Sequence, residues 1–144
     1  MEEKRIFDIL TSYMKKYPEQ DTALAKKENG EWRRYSIQEY VNTTNIISFA
    51  LIKIGIKKND KVAIISSNRP EWNILDMAIQ KVGAITIPIY PTISKDDYKI
   101  IINNCEAKLA IIEGLSVLSK IEEIRPEIPS IEHIYTFVKR SAQY

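Results

Sequence analysis

Apolar positions along this chain recur with two periods, and the alternation between them lays out the fold. Residues 62–66, Val-Ala-Ile-Ile-Ser, form a run too short for a helix and rich in β-branched side chains, which predicts a buried strand. Ser67-Asn68-Arg69-Pro70 follows as a turn, with a proline suited to the first helical position, where an N–H has no partner anyway. Trp72, Leu75, Ile79 and Val82 then recur at helical spacing, and Ile74, Met77 and Ala78 widen that face until it is nearly continuous. Gly83 ends the helix, and 84–87 with Ile89 predicts a second strand. Strand, helix and strand in so short a stretch make a βαβ unit, whose strands must be parallel.

The flanks obey the same two periods. Ile6, Ile9, Leu10, Tyr13, Met14 and Tyr17 mark one face of a first helix, which Pro18 stops. Segments 22–27 and 31–35 flank Glu28-Asn29-Gly30, and Asn-Gly accepts the positive φ angles of a tight hairpin turn. Ser36 and Glu39 predict a capping box for the next helix, with Tyr35 and Tyr40 placed as a hydrophobic staple. Ile37, Val41, Thr44, Ile47, Leu51 and Ile54 carry its buried stripe up to Gly55. Further on, Ser94 and Asp97 predict another box, and Tyr98, Ile101, Ile102 and Cys105 lie on one helical face. Residues 108–113 predict a third strand, 115–124 a helix, Pro126 and Pro129 a rigid connection, and 133–138 a fourth strand. The order βαβαβαβ over 60–144 calls for an α/β fold, a parallel sheet with flanking helices. A helix, a small antiparallel hairpin and a capped helix precede it over 1–59.

Composition narrows the functions available. An apolar share of 44% and a charged share of 28% over 144 residues suit one globular domain with a real core. A net charge of +2 with scattered lysines offers no stripe for nucleic acid. One cysteine excludes an internal disulfide, and one histidine beside it cannot make a His/Cys metal site, so no metal ligand is expected. The longest apolar stretch, 46–54, contains Ser48 and Lys53 and is far short of a membrane span. The acid-rich start carries no cleavable apolar leader, and a cytoplasmic protein is expected.

Few side chains suggest chemistry. The turn Ser66-Ser67-Asn68-Arg69 lies between a parallel strand and a helix start, where free N–H groups attract anions. It has no glycine, and neither GxxxxGK[ST] nor GxGxxG occurs in the chain, so a simple helix cap is the preferred reading. Cys105 sits on an apolar stripe as a structural thiol rather than a nucleophile. His133 begins a strand with no local partner. Asp96-Asp97 and Glu122-Glu123 are adjacent on helices and point apart, so neither pair can share a proton. Trp72 and Met77 read as core.

Three stretches together carry a resemblance: Asp60-Lys-Val-Ala-Ile-Ile-Ser-Ser-Asn-Arg-Pro-Glu-Trp72, Val82-Gly-Ala84 and Pro88-Ile-Tyr-Pro-Thr92. They are similar to the N-terminal region of AMP-forming acyl-CoA synthetases, and the NRPEW and PIYPT wording resembles the long-chain fatty acid–CoA ligase branch of the adenylate-forming superfamily. Residues 100–113 resemble that family's next helix and strand, and the hairpin and the capped helix at Ser36 fit its opening, so the resemblance spans nearly all of 1–144.

The resemblance implies a two-step reaction with ATP, Mg²⁺ and coenzyme A, in which a fatty carboxylate becomes an acyl-adenylate and then a thioester. It also implies a phosphate loop and a catalytic lysine, neither of which is found in this sequence. The expected identity is therefore an N-terminal part of a longer synthetase, inactive alone. Its partners would be the rest of the parent chain and, through it, fatty acid, ATP and coenzyme A; whether the parent sits at the periphery of a membrane stays open at this point. Apolar surface left uncovered would make the piece self-associate. Tyr90 and Thr92 become candidates for the coenzyme A surface, because the matching segment of related acetyl-CoA synthetases lines it. Pro91 and Thr92 stand where those relatives have glycines, and a plain strand-to-helix turn is the alternative. Another acid–CoA ligase, or a non-catalytic binding or scaffold domain, remains open at this point.

Overall fold

The computed structural model describes residues 5–137, which divide into one unit of 5–58 and 68–84 and a second of 59–67 and 85–137. The first unit opens with α1 (Asp8–Lys16). Of the face expected to be buried there, Leu10 is buried and Met14 half-buried, whereas Ile6 and Ile9 are 57% and 59% exposed. The helix is only 9 residues long, it lies against α2 (Ile37–Lys53) along one flank, and Ile6 precedes it. A short helix resting on one neighbour covers less than the apolar stripe offers.

β1 (Leu24–Glu28) and β2 (Glu31–Tyr35) pair antiparallel, with Glu28 opposite Glu31 across Asn29-Gly30. The turn residues have φ of 50° and 87°, the pair of positive angles that matches the twist of the strands. At the start of α2 the Glu39 N–H donates to Ser36 Oγ at 3.1 Å, but the Glu39 carboxylate takes Arg33 at 3.0 Å instead of closing the box. A charge-assisted bond outcompetes the neutral backbone donor. Tyr35 and Tyr40 are both buried and join Leu10, Ile37, Val41 and Ile74 in one cluster. Ile74 comes from α3 (Pro70–Val82), which stops at Gly83, whose φ of 81° lets its N–H reach the Gln80 and Ile79 carbonyls. The inner stripe of α2 is as expected at Ile37, Val41, Thr44 and Leu51, while Ile47 and Ile54 are only half-buried. On its other side Ile46, Phe49 and Ile52 are 67%, 71% and 57% exposed.

The second unit is a four-stranded parallel sheet in the order β4-β3-β5-β6, formed by β3 (Lys61–Ile65), β4 (Ile85–Ile89), β5 (Leu109–Ile112) and β6 (His133–Thr136). Val62–Ile65 are fully buried, as their apolar run requires. Pro88 sits within β4, a position a proline tolerates because β4 is an edge strand among the described residues. The fourth strand ends at Thr136 rather than at 138, because the chain bends at Phe137, and Val138 lies outside the described residues.

α4 (Lys95–Cys105) begins with a complete box between Ser94 and Asp97, and α5 (Gly114–Glu123) follows β5 directly. Tyr98 and Ile102 of α4 and Val117, Leu118 and Ile121 of α5 pack on Ala63, Ile65, Ala110 and Ile112 of the sheet. Ile102, Ile112 and Ile121 are wholly buried, and each such side chain stabilises the fold by about 1.5–3 kcal/mol. The result is an α/β fold with a parallel sheet, flanking helices and a separate antiparallel hairpin.

Candidate functional site

All four strands of the sheet run the same way, so their carboxyl ends share one edge, where ligands collect in open parallel sheets. At the end of β3 stand Ser66, buried, and Ser67, exposed. The pairing of Ile65 with Ile112 sets Glu113 opposite this turn. Its carboxylate accepts from the Ser67 N–H at 2.6 Å, from Ser67 Oγ at 2.7 Å and from Ser66 Oγ at 2.9 Å. The helix is capped within this turn, as read from the sequence, but neither serine makes the cap. The residue that caps α3 is Arg69, in extended conformation; its side chain makes no capping bond and pairs with Glu71 at 3.0 Å instead, while the two serines are turned to Glu113. The donors that could attract an anion hold one from the chain itself, which repels a second. A phosphate of ATP does not fit this turn. No group of three His, Cys, Asp or Glu side chains among the described residues could hold Mg²⁺.

The end of β4 is built differently. Tyr90 follows Ile89 with its side chain 78% exposed, and Pro91, Thr92 and Ile93 lead to the cap of α4 at Ser94. Two side chains hold this segment from below. Tyr98 Oη donates to the Tyr90 carbonyl at 3.2 Å, and Lys120 Nζ of α5 donates to the Ile93 carbonyl at 3.1 Å. The Lys120 ammonium also lies 6.0 Å from the centre of the Tyr98 ring, within cation–π range. Burial, and secondarily the charge of Glu113, pushes the Tyr98 phenol above its ordinary pKa, so it stays protonated and able to donate. Tyr90 and Thr92 therefore lie together, both exposed, on a backbone fixed at each end. The sequence carried no local sign of Glu113, Tyr98 or Lys120 in these roles. The parallel register alone could have pointed to Glu113.

The remaining candidates lie elsewhere. Cys105 is half-buried rather than buried, with Sγ 3.5 Å from the Ile102 carbonyl, and burial raises its pKa. His133 stacks on Tyr135 at 6.3 Å between ring centres. Asp97 serves the cap of α4 and Asp96 faces Lys99, while Glu123 pairs with Lys95 at 3.0 Å. In the first unit Met77 packs against the cluster around Ile74. Trp72, expected in the core, is half-buried and lines a hollow of about 410 Å³ with Asn68, Arg69 and Asn73. It stands in the polar first turn of α3, which leaves it partly exposed.

A family model described as AMP-binding enzyme matches residues 10–143. The long-chain-fatty-acid–CoA ligase FadD15 of Mycobacterium bovis is 32% identical over 106 residues, which cover 74% of this chain and 18% of that protein. The chain spans 16–18% of the length of the first curated relatives it matches. Among solved structures, the anthranilate CoA ligase AuaEII in complex with anthranoyl-AMP superposes with a TM-score of 0.77 at 25% identity, covering 90% of this chain and 24% of that one. The N-terminal domain of FACL13 from Mycobacterium tuberculosis superposes with a TM-score of 0.82 at 18% identity, covering 93% and 33%, which speaks to the fold alone.

Proposed function

The chain belongs to the AMP-binding enzyme family, and from that premise we propose that it forms the N-terminal part of an AMP-forming long-chain fatty acid–CoA ligase. The observation that carries this reading is the family match over 10–143, together with the relatives' printed activity. A carboxylate is a poor acyl donor until one of its oxygens belongs to a good leaving group. In the proposed reaction the fatty carboxylate attacks the α-phosphorus of ATP and expels pyrophosphate. The thiol of coenzyme A, losing its proton, then attacks the acyl carbon and expels AMP. The phosphate loop and lysine for the first step would come from the rest of the parent chain, and Mg²⁺ would be held there too.

This segment would serve the second step. Tyr90 presents an exposed ring at the ligand-bearing edge, suited to stacking on the adenine of coenzyme A, with Thr92 beside it. Stacking of an aromatic ring on a base is worth about 1–3 kcal/mol. Adenine is remote from the reacting thiol, so the loss should fall on ground and transition states alike. In the complete ligase, Tyr90→Ala should raise KM for coenzyme A about 5- to 150-fold with little change in kcat. Fatty acid–dependent ATP–pyrophosphate exchange should be unchanged, and equal damage to both half-reactions would reduce Tyr90 to a role in folding. The 144-residue chain alone should show background exchange. The likeness to an anthranilate ligase supports a second reading, an aryl acid as substrate. Exchange driven by palmitate but not by benzoate or anthranilate separates the two. No helix among the described residues is long and apolar enough to cross a membrane. A cytoplasmic enzyme peripheral to a membrane accords with the exposed apolar flank of α2.

A further inference from the structure

We propose that Tyr98 and Lys120 are positioning residues for coenzyme A, which act by fixing the backbone that presents Tyr90 and Thr92. The inference rests on the reading of that segment as the coenzyme A surface. It starts from two polar groups whose placement packing alone does not require. Tyr98 is wholly buried among apolar neighbours, where a phenylalanine would spare the cost of dehydrating a hydroxyl. Its hydroxyl is instead aimed at one backbone acceptor, the Tyr90 carbonyl. Lys120 is half-buried on α5, and a lysine with no task would extend its ammonium into water. It turns instead to the Ile93 carbonyl.

The two bonds come from different helices and grip the first and last residues of 90–93. Between them Pro91 removes one soft dihedral, so the short segment has few ways left to move. An exposed ring on such a backbone is presented to a ligand already oriented. Binding to it escapes much of the ordering cost that a mobile loop would impose. A surface turn with no ligand would gain little from being held at both ends.

The experiment has two arms. In the 144-residue chain, backbone order parameters by NMR should be about 0.85 at Tyr90, Thr92 and Ile93. They should fall toward about 0.6 in Tyr98→Phe/Lys120→Met, with the amides of β5 unchanged. In the complete ligase, Tyr98→Phe and Lys120→Met should each raise KM for coenzyme A about fivefold, the factor that one hydrogen bond's net contribution is worth. kcat and fatty acid–dependent pyrophosphate exchange should hold, and Lys120→Arg, which keeps a donor, should recover part of the loss. If Tyr90→Ala raises KM for coenzyme A and these variants do not, the positioning role is overturned while the coenzyme A surface stands. If Tyr90→Ala has no effect although the order parameters fall, the coenzyme A surface is overturned, and this proposal with it. Equal losses in both half-reactions would overturn it as well, by showing that the two residues only support the fold.

Discussion

Replacing Glu71 by glutamine should unfasten the first unit at neutral pH and leave it unaffected in acid. Glu71 stands in the first turn of α3, its side chain 27% exposed, and three groups converge on it. Lys26 of β1 reaches Oε1 at 2.5 Å, Arg69 reaches Oε2 at 3.0 Å, and the Tyr35 hydroxyl donates to Oε1 at 3.3 Å. Burial alone would raise the pKa of this carboxyl. The bonds from Arg69 and Lys26 outweigh that and bring it from 4.5 to about 2. At about 1.4 kcal/mol for each tenfold change in proton affinity, the depression corresponds to about 3 kcal/mol. Water reaching the exposed part of the side chain screens some of this, and about 2 kcal/mol is expected.

Because folding lowers this pKa, the contribution is complete above about pH 4.5 and is lost as pH falls toward 2. Both tryptophans, Trp32 and Trp72, belong to the first unit, so their fluorescence follows its unfolding in urea. Glu71→Gln should cost about 2 kcal/mol at pH 7, less at pH 4, and close to nothing at pH 2. A deficit of the same size at all three pH values would mean that glutamine merely packs badly. Superposed curves at pH 7 would refute the electrostatic argument outright.

Two further outcomes are expected. Cys105 should react several-fold more slowly with an aromatic disulfide reagent at pH 8 than after unfolding, because burial raises its pKa and covers part of the sulfur; equal rates would show that the α4 face is open. The 144-residue chain should self-associate at high concentration through Ile46, Phe49 and Ile52, and Phe49→Lys should weaken this in sedimentation velocity; a strict monomer that binds no hydrophobic dye would refute it.

Local features of this fold were legible in the sequence wherever one short stretch contains its own physical cause. Asn29-Gly30, Ser94 with Asp97, Gly83 and the apolar run of β3 each act within a few residues, and the structure realises all four. Reading failed where a long-range partner decided the outcome. Glu39 left its box because the hairpin brings Arg33 near, and Ser67 was taken by a carboxylate 46 residues away. Helical periodicity showed that α1 and α2 have apolar faces but not how much of each a neighbour would cover, hence the exposed Ile9 and the half-buried Ile47. At the candidate site Tyr90 and Thr92 were found through resemblance. Tyr98 and Lys120, which hold their backbone, read as an ordinary stripe residue and an ordinary lysine.

The strand order has a consequence for the chain as it is made. β3 pairs with β4 on one side, Lys61 opposite Ile85, and with β5 on the other, Val62 opposite Leu109. Its first neighbour leaves the ribosome 24 residues after it and its second 47 residues after it. At about 5–20 residues per second, the strand destined for the middle of the sheet waits roughly 2–10 s with an open side. Closing the longer loop adds only about 0.6 kcal/mol over the shorter one, so the delay is set by synthesis rather than by chain entropy. Val62–Ile65, an unbroken run of apolar side chains, is thus a template for stray pairing during that interval. The bonds from Ser66 and Ser67 to Glu113 can form only when the interval ends, and they mark the moment at which the strand stops being an edge.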